Sequence, residues 1–237
     1  MRKISMLCVP VMLATFGATA ACSAAQPPPP EPVVPIASCV DEAEQRESGV
    51  TMTRADGYTV EGLVYGSGTR AAIFANQSDG DVCQWQSHAQ ILAQKGYLAA
   101  VFNYSQFGAE GDVLAAVTTV RQRGATAVYL IGASRGGTAV LAAAAVVEPP
   151  VDAVVSLSAP QSYMGESAAN VMPEFATPVL FMVGESDAPF ANETRKLYEA
   201  CAAPDKQLEV FDNGRHGVAL VDAEVFDQIQ DFLARHP

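Results

Sequence analysis

Basic residues are scarce in this sequence. Its 237 residues include 14 Lys and Arg against 26 Asp and Glu, which gives a net charge of −12. A chain without a basic surplus neutralises few phosphates, so the composition argues against a nucleic acid partner. Charged residues make up only 17% of the chain and hydrophobic residues 49%. This balance excludes an intrinsically disordered protein.

Cysteine and cofactor motifs are also sparse. Five cysteines are too few for a disulfide scaffold, and none has neighbours that suggest a metal site. The chain lacks a G-x-G-x-x-G sequence after its first strand, which excludes a dinucleotide-binding fold. We therefore expect neither a metal nor a cofactor. The length is that of one domain with a tail.

The N-terminus has the layout of a secretory signal peptide over residues 1–21. Two basic residues precede an apolar run from Ile4 to Ala21, which is short for a transmembrane anchor of about 20 residues. A small residue directly before Cys22 resembles a bacterial lipoprotein cleavage site. We expect Cys22 to carry a lipid that holds an exported protein on the membrane, facing the periplasm or the cell exterior. Plain secretion after Ala18-Thr19-Ala20 is the alternative.

A proline-rich segment follows the expected lipid site. Six of the fifteen prolines lie between Gln26 and Pro35. Proline fixes φ and lacks an N–H donor, so this tract cannot form a helix or a central strand. We expect residues 22–47 to form a stiff spacer, with a disordered leader as the alternative. The folded domain is then expected over residues 48–237.

Strands and helices alternate through this domain. Apolar strand-like runs predict strands at 50–54, 58–65, 71–75, 97–104, 127–131, 151–157, 178–183 and 207–211. Helices are predicted at 85–95, 112–123, 136–147, 192–201 and 222–234. This alternation predicts an α/β fold with a single doubly wound, mainly parallel sheet and helices on both faces.

The sequence Gly132-Ala133-Ser134-Arg135-Gly136 carries the chemistry. G-x-S-x-G is a weak motif alone, but here it lies between a predicted strand and a predicted helix. A turn that sharp strains the Ser backbone and leaves no room for side chains two residues away on either side. The helix N-terminus behind Ser134 offers free N–H groups to a developing oxyanion. Ser134 is therefore the candidate nucleophile.

A serine needs a base, and the chain has only three histidines. His236 is next to the C-terminus, and His88 shares a helix face with Trp85 and is expected at the edge of the core. His216 lies in a glycine-flanked loop between the last strand and the last helix, which suits a presented side chain. We expect His216 to be the base.

The third member of a triad orients the base. Asp187 follows the buried strand 179–183, at the end of the strand where α/β sheets place their sites. Glu185 is the close rival. The preceding strand ends in Ser158-Ala159-Pro160, which offers no carboxylate. The expected order along the chain is Ser134, Asp187, His216.

With this order, residues 48–237 resemble the α/β-hydrolase family, and look closest to its small dienelactone-hydrolase-like or carboxylesterase-like members. A serine rather than a cysteine nucleophile is against dienelactone hydrolase itself. The resemblance implies cleavage of esters, thioesters or amides through an acyl-enzyme. It also implies an oxyanion hole built from two backbone N–H groups. Here these are the N–H of Arg135 and one from the loop after the third strand, with Ser78 preferred and Gln77 second.

The chain departs from its relatives near this hole. Many carry His-Gly where this sequence has Asn76-Gln77, and Asp-x-Arg-Gly where it has Asn103-Tyr104-Ser105-Gln106. Arg135 is expected to pair with a surface acid rather than with an anionic acyl group. Only about twenty residues separate the strands at 151–157 and 178–183, which leaves no room for a large lid. We therefore expect an open site for a small or soluble ester-type substrate.

Three cysteines remain, Cys39, Cys83 and Cys201, because Cys8 leaves with the signal peptide and Cys22 is expected to carry the lipid. An exported location permits one disulfide, and we prefer Cys39–Cys83 with Cys201 free. The preferred function is an exported serine hydrolase of the carboxylesterase type. The alternative is a non-catalytic lipoprotein that keeps the same scaffold for binding or structure. The sequence does not indicate an oligomeric state.

Overall fold

An eight-stranded sheet organises the described part of the chain, which in this computed structural model covers residues 33–106 and 108–237. The strands are β1 Gly49–Thr53, β2 Thr59–Tyr65, β3 Arg70–Ala75, β4 Tyr97–Phe102, β5 Ala127–Ala133, β6 Ala153–Leu157, β7 Ser162–Tyr163, β8 Glu166–Ser167, β9 Val179–Gly184 and β10 Lys206–Phe211. Strands β7 and β8 form a separate hairpin. The predicted signal peptide, Cys22 and most of the proline tract lie outside the described residues.

The main sheet is predominantly parallel. Its strand order is β1-β2-β4-β3-β5-β6-β9-β10. Strand β2 pairs antiparallel with both β1 and β4, and all other neighbours are parallel. Since parallel strands share their carboxyl ends, the loops after β3, β5, β6, β9 and β10 meet at one edge of the sheet.

Helices cover both faces of this sheet. They are α1 Glu42–Ser48, α2 Gln86–Gln94, α3 Ala109–Gln122, α4 Arg135–Val146, α5 Ala168–Val171, α6 Phe190–Ala200 and α7 Ala223–Ala234. Short 3₁₀ turns occupy Val82–Gln84, Met172–Glu174 and Gly217–Leu220. No helix in the described part of the chain is both long and apolar enough to span a membrane.

Strand β5 shows why the sheet needs helices on both sides. Val128 and Leu130 point into a core shared with α3, α4 and α6. Tyr129 and Ile131 point into a second core shared with α2 and α7. Because side chains alternate along a strand, a run that is apolar at every position requires burial on both faces. The predicted fold class is confirmed.

The domain begins earlier than the predicted residue 48. The compact unit starts at Val33 and includes α1, which begins after Asp41, whose carboxylate accepts from the Glu44 N–H at 2.8 Å. Val40 is buried in the core that contains α2 and α7. The boundary is therefore corrected to Val33. The neighbouring prolines obscured a segment that packs through few apolar side chains.

Candidate active site

Ser134 occupies a strained turn between β5 and α4. Its φ of 52° and ψ of −116° lie outside the regions that side-chain-bearing residues favour, a strain that is concentrated at functional sites. The turn is held by backbone hydrogen bonds, because Ser134 N–H donates to Leu157 O at 2.8 Å and Thr138 N–H donates to Ser134 O at 3.1 Å. The residue is only 6% exposed.

Both glycines of the G-x-S-x-G sequence are required by backbone contacts. A Cβ on Gly132 would lie 2.2 Å from the carbonyl oxygen of Gly136. A Cβ on Gly136 would lie 2.2 Å from the carbonyl oxygen of Ala75, at the end of β3. Real Cβ atoms do not approach backbone this closely. The sharp turn predicted from the sequence is therefore present, for the predicted steric reason.

His216 and Asp187 form a hydrogen-bonded pair. His216 Nδ1 lies 2.9 Å from Asp187 Oδ2 and 3.2 Å from Oδ1. Asp187 is 6% exposed, whereas the His216 side chain is 30% exposed. A carboxylate at Nδ1 favours the tautomer with the proton on Nδ1, which leaves the Nε2 lone pair free to accept a proton. The ring of Phe190 lies 4.2 Å from the imidazole, centroid to centroid, and restricts its position.

Glu185, the rival carboxylate, lies elsewhere. It is exposed and pairs with Arg195 on α6. Of the two acids after β9, the structure therefore places Asp187 against the imidazole. His88 lies between the rings of Trp85 and Phe226, and His236 contacts Asp205.

Ser158, which the sequence pattern does not single out, supports the histidine loop, residues 212–222 between β10 and α7. Its hydroxyl accepts from the Gly217 N–H at 3.0 Å, directly after His216. Ser158 itself has a φ of 50° and follows β6, the neighbour of β5. A Cβ on Gly217 would lie 3.4 Å from Ala133 Cβ, so the histidine loop packs against the residue before Ser134. The sequence feature that could have identified Ser158 is its position directly after β6, the strand next to β5 and the Ser134 turn.

The backbone N–H groups of Arg135, Gln77 and Ser78, the candidates for the oxyanion hole, differ in whether they already donate a hydrogen bond. Arg135 is the first residue of α4, and the first N–H groups of a helix have no intrahelical acceptor. The backbone N–H of Gln77 donates to Gln84 Oε1 at 3.0 Å, so it is already engaged. This removes Gln77 as a backbone donor. Ser78, which is exposed in the same loop, remains the candidate for the donor that acts beside Arg135.

The Arg135 side chain forms no ion pair with a surface acid among the described residues, contrary to the prediction from the sequence. Its guanidinium lies over the ring of Tyr104, 3.9 Å from the centroid. The Tyr104 hydroxyl donates to Asn76 O at 2.8 Å, and burial raises the pKa of this phenol above its ordinary value. A planar guanidinium stacks well on an aromatic face. Besides the larger effect of burial, which raises the pKa of the Glu166 carboxyl, the charge of Arg135 also acts on this group and lowers its pKa.

The insertion between β6 and β9 is small. It contains the hairpin β7–β8, the single-turn helix α5 and one 3₁₀ turn. The hairpin tip carries the exposed Met164. Burial raises the pKa of Glu166 on β8, whose Oε1 accepts from the Glu110 N–H at 2.8 Å. The insertion is therefore as short as the sequence predicts, and it is too small to form a large lid.

Cys39 and Cys83 are joined in a disulfide, the pairing preferred from the sequence, and Cys201 is free and buried. The bond ties the N-terminal segment to the 3₁₀ turn Val82–Gln84, beside the loop that carries Ser78. Among residues 33–106 and 108–237, no group of three or more His, Cys, Asp or Glu side chains is arranged to hold a metal.

Comparison with known proteins gives one family and many related structures. The sequence profile of the dienelactone hydrolase family matches residues 107–231, just over half of the chain. A search of curated proteins finds no match.

Three solved structures illustrate the likeness in fold. An esterase of Pyrococcus furiosus superposes with a TM-score of 0.69 at 16% identity, covering 83% of this chain and 97% of its own. A dienelactone hydrolase of Anabaena variabilis gives 0.67 at 19% identity, covering 79% and 96%. The esterase domain of a Rhodothermus marinus protein gives 0.64 at 18% identity, covering 79% and 98%.

Proposed function

The chain belongs to the dienelactone hydrolase family of ester-bond hydrolases, and on that premise we propose that it is a serine hydrolase. Its nucleophile is Ser134, its base is His216, and Asp187 orients that base. The observation that carries this proposal is the strained Ser134 turn at the same sheet edge as the hydrogen-bonded His216–Asp187 pair.

The reaction follows from this geometry. As Ser134 Oγ attacks the ester carbonyl carbon, His216 Nε2 takes the hydroxyl proton, and the carbonyl π electrons move onto oxygen. The N–H groups of Arg135 and Ser78 stabilise this oxyanion. When the tetrahedral intermediate collapses, His216 gives its proton to the leaving alcohol and an acyl-enzyme remains. Water, deprotonated by His216, then attacks the acyl carbon. Collapse of this second tetrahedral intermediate releases the carboxylic acid, and His216 returns the proton to Ser134 Oγ.

The expected substrate is a small or soluble ester. The short insertion between β6 and β9 supports this, because a long acyl chain needs a covering lid or a deep apolar channel. Thioesters and amides pass through the same type of intermediate. A panel of esters, thioesters and amides on the purified protein identifies the preferred bond and the preferred acyl and alcohol groups.

The test of the mechanism compares the purified protein with Ser134→Ala. We expect turnover of p-nitrophenyl acetate or butyrate by the native protein, a loss of at least about 10³-fold in the variant, and covalent labelling of Ser134 by a fluorophosphonate. Equal rates in the two proteins, or no label on Ser134, would contradict the proposal and favour a non-catalytic role for the scaffold.

We also propose that the protein is exported and held on a membrane through a lipid on Cys22. The basic, then apolar, N-terminal sequence and the small residue before Cys22 support this. Fractionation of cells that express the full chain tests it. We expect the native protein in the membrane fraction and Cys22→Ser in the soluble fraction. A soluble native protein would instead favour plain secretion.

A further inference from the structure

The side chain of Gln77 connects the two loops that carry the reacting groups. Its Oε1 accepts from the Val218 N–H at 3.1 Å, two residues after His216. Its Nε2 donates to Asp79 Oδ1 at 2.8 Å, in the loop that contains Ser78. This carboxamide therefore joins the loop after β3 to the histidine loop by hydrogen bonds on both sides.

The contact with the histidine loop leaves little free space. A Cβ on Gly217 would lie 2.5 Å from Gln77 Oε1, so the carboxamide rests directly on the backbone next to His216. Gly217 has a φ of +55°, and its N–H is fixed by Ser158. The histidine loop is thus held from one side by Ser158 and from the other by Gln77.

The contact with the loop after β3 is equally constrained. Gln84 Oε1 accepts from the Gln77 N–H, and Gln84 Nε2 donates to Asp79 Oδ1 at 3.3 Å. A Cβ on Gly80 would lie 2.0 Å from Gln84 Nε2. The hydrogen bond from Gln77 lowers the pKa of Asp79 below its usual value, which keeps this acceptor ionised. Gln77, Asp79 and Gln84 therefore form a closed hydrogen-bonded ring, and Ser78 lies in the chain between its first two members.

We propose that Gln77 is a positioning residue that sets the distance between the Ser78 N–H and the imidazole of His216. The proposal rests on the proposed function and assigns to the Gln77 side chain a role that its engaged backbone N–H cannot fill. Because Ser78 is exposed and has little packing of its own, the position of its N–H depends on the hydrogen bonds of the flanking residues Gln77 and Asp79. The oxyanion donor and the base act on different oxygens that are bonded to the same tetrahedral carbon, and a misplacement of about 1 Å costs about 10²-fold in rate.

The first test is Gln77→Met, which keeps the length of the side chain and removes both hydrogen bonds. We expect kcat for p-nitrophenyl butyrate to fall about 10- to 100-fold, with KM changed by less than about threefold, because the hole acts on the transition state. The matched control is Gln86→Met. Gln86 Nε2 donates to Glu44 at 2.9 Å and to Cys39 O at 3.2 Å, away from both loops, and kcat is expected to stay within about twofold.

The second test exchanges donor and acceptor in the double variant Gln77→Glu/Asp79→Asn. The Glu carboxylate accepts from the Val218 N–H and from the new Asn amide, so both hydrogen bonds of residue 77 form again with no change in net charge. Only the longer contact from Gln84 Nε2 to Asp79 Oδ1, at 3.3 Å, is lost. We expect kcat to return to within about threefold of the native value. A residue needed only for stability would change the unfolding midpoint in Gln77→Met and leave kcat at 25 °C unchanged.

Two results would overturn the proposal. One is a Gln77→Met variant with native kcat while Ser134→Ala is inactive, and the other is a folded exchange variant that is as slow as Gln77→Met. If Gln77→Met does not fold, the exchange variant alone decides: native kcat supports the proposal and a slow, folded protein refutes it. Failure of the proposed function is distinct, because Ser134→Ala would then match the native protein.

Discussion

Asp112 on α3 is the most informative residue for stability. It is fully buried, and its Oδ1 accepts from the guanidinium of Arg54 and from the Ser105 hydroxyl at 2.7 Å. Its Oδ2 accepts from the Ser105 N–H at 2.8 Å. These contacts fix the loop after β4, which also contains Tyr104. We predict that Asp112→Asn, which keeps the shape and removes the charge, destabilises the protein.

The magnitude follows from the burial of both partners. Breaking a buried ion pair by removing one charge costs about 3–5 kcal/mol. Arg54 keeps a second salt bridge to the exposed Asp56, which places the expected loss in free energy of unfolding near the lower end, about 3 kcal/mol. In a domain of this size each kcal/mol shifts Tm by about 2–4 °C, so Tm should fall by about 6–12 °C.

Urea and thermal unfolding followed by circular dichroism measure this loss at pH 7. The control is Glu42→Gln, which removes an exposed i,i+4 pair with Arg46 and should change the free energy of unfolding by less than about 0.5 kcal/mol. If Asp112→Asn costs less than about 1 kcal/mol, the charge of Asp112 does not stabilise the loop and the reasoning is refuted.

Three further predictions concern other parts of the fold. Gly136→Ala should abolish p-nitrophenyl ester hydrolysis and lower Tm, because the added Cβ would meet Ala75 O at 2.2 Å; a fully active variant contradicts the steric account of the turn. Replacing both Cys39 and Cys83 by Ser should cost about 4 kcal/mol in urea unfolding, since their sequence separation of 44 sets the loop-closure entropy of the unfolded chain; a loss near zero contradicts this. Burial lowers the pKa of His88, whose Nδ1 has no hydrogen-bond partner among the residues that the structure describes. The unfolded chain therefore binds a proton at higher pH than the folded one, and stability should fall as the pH drops below about 6.5. His88→Phe should lose less stability than the native protein between pH 7.5 and 5.5 in urea unfolding, and an equal loss would show that another group is responsible.

The sheet and the sharp turn at Ser134 could be predicted because their causes are local in sequence. An apolar run such as Ala127 to Ile131 predicts a strand that is buried on both faces, and this prediction does not require knowing which strands or helices pack against it. The pair of glycines around Ser134 marks the turn, since only a residue without a Cβ fits there. The choice of His216 as the candidate base rests on the small number of histidines and on its glycine-flanked loop, and its catalytic role stays a prediction.

Other features depend on contacts that sequence patterns do not encode. The N–H of Gln77 is engaged by Gln84, seven residues away, and side-chain rotamers decide such a contact. Arg135 follows β5 and stacks on Tyr104, which follows β4. The spacing of the two residues in the sequence therefore did not predict this contact. The packing of α1 was hidden because Val40 is one of few large apolar residues in a polar stretch after the prolines.

The turn at Ser134 is shaped entirely by backbone atoms. The close approaches of Gly132 to Gly136 O and of Gly136 to Ala75 O, and the Ser134 N–H bond to Leu157 O, involve no atom of the serine side chain. The backbone geometry of the turn therefore does not depend on which side-chain atom residue 134 carries. We expect the replacement of Ser134 by Cys to change the acidity and polarisability of that atom and to leave the backbone of the turn in place.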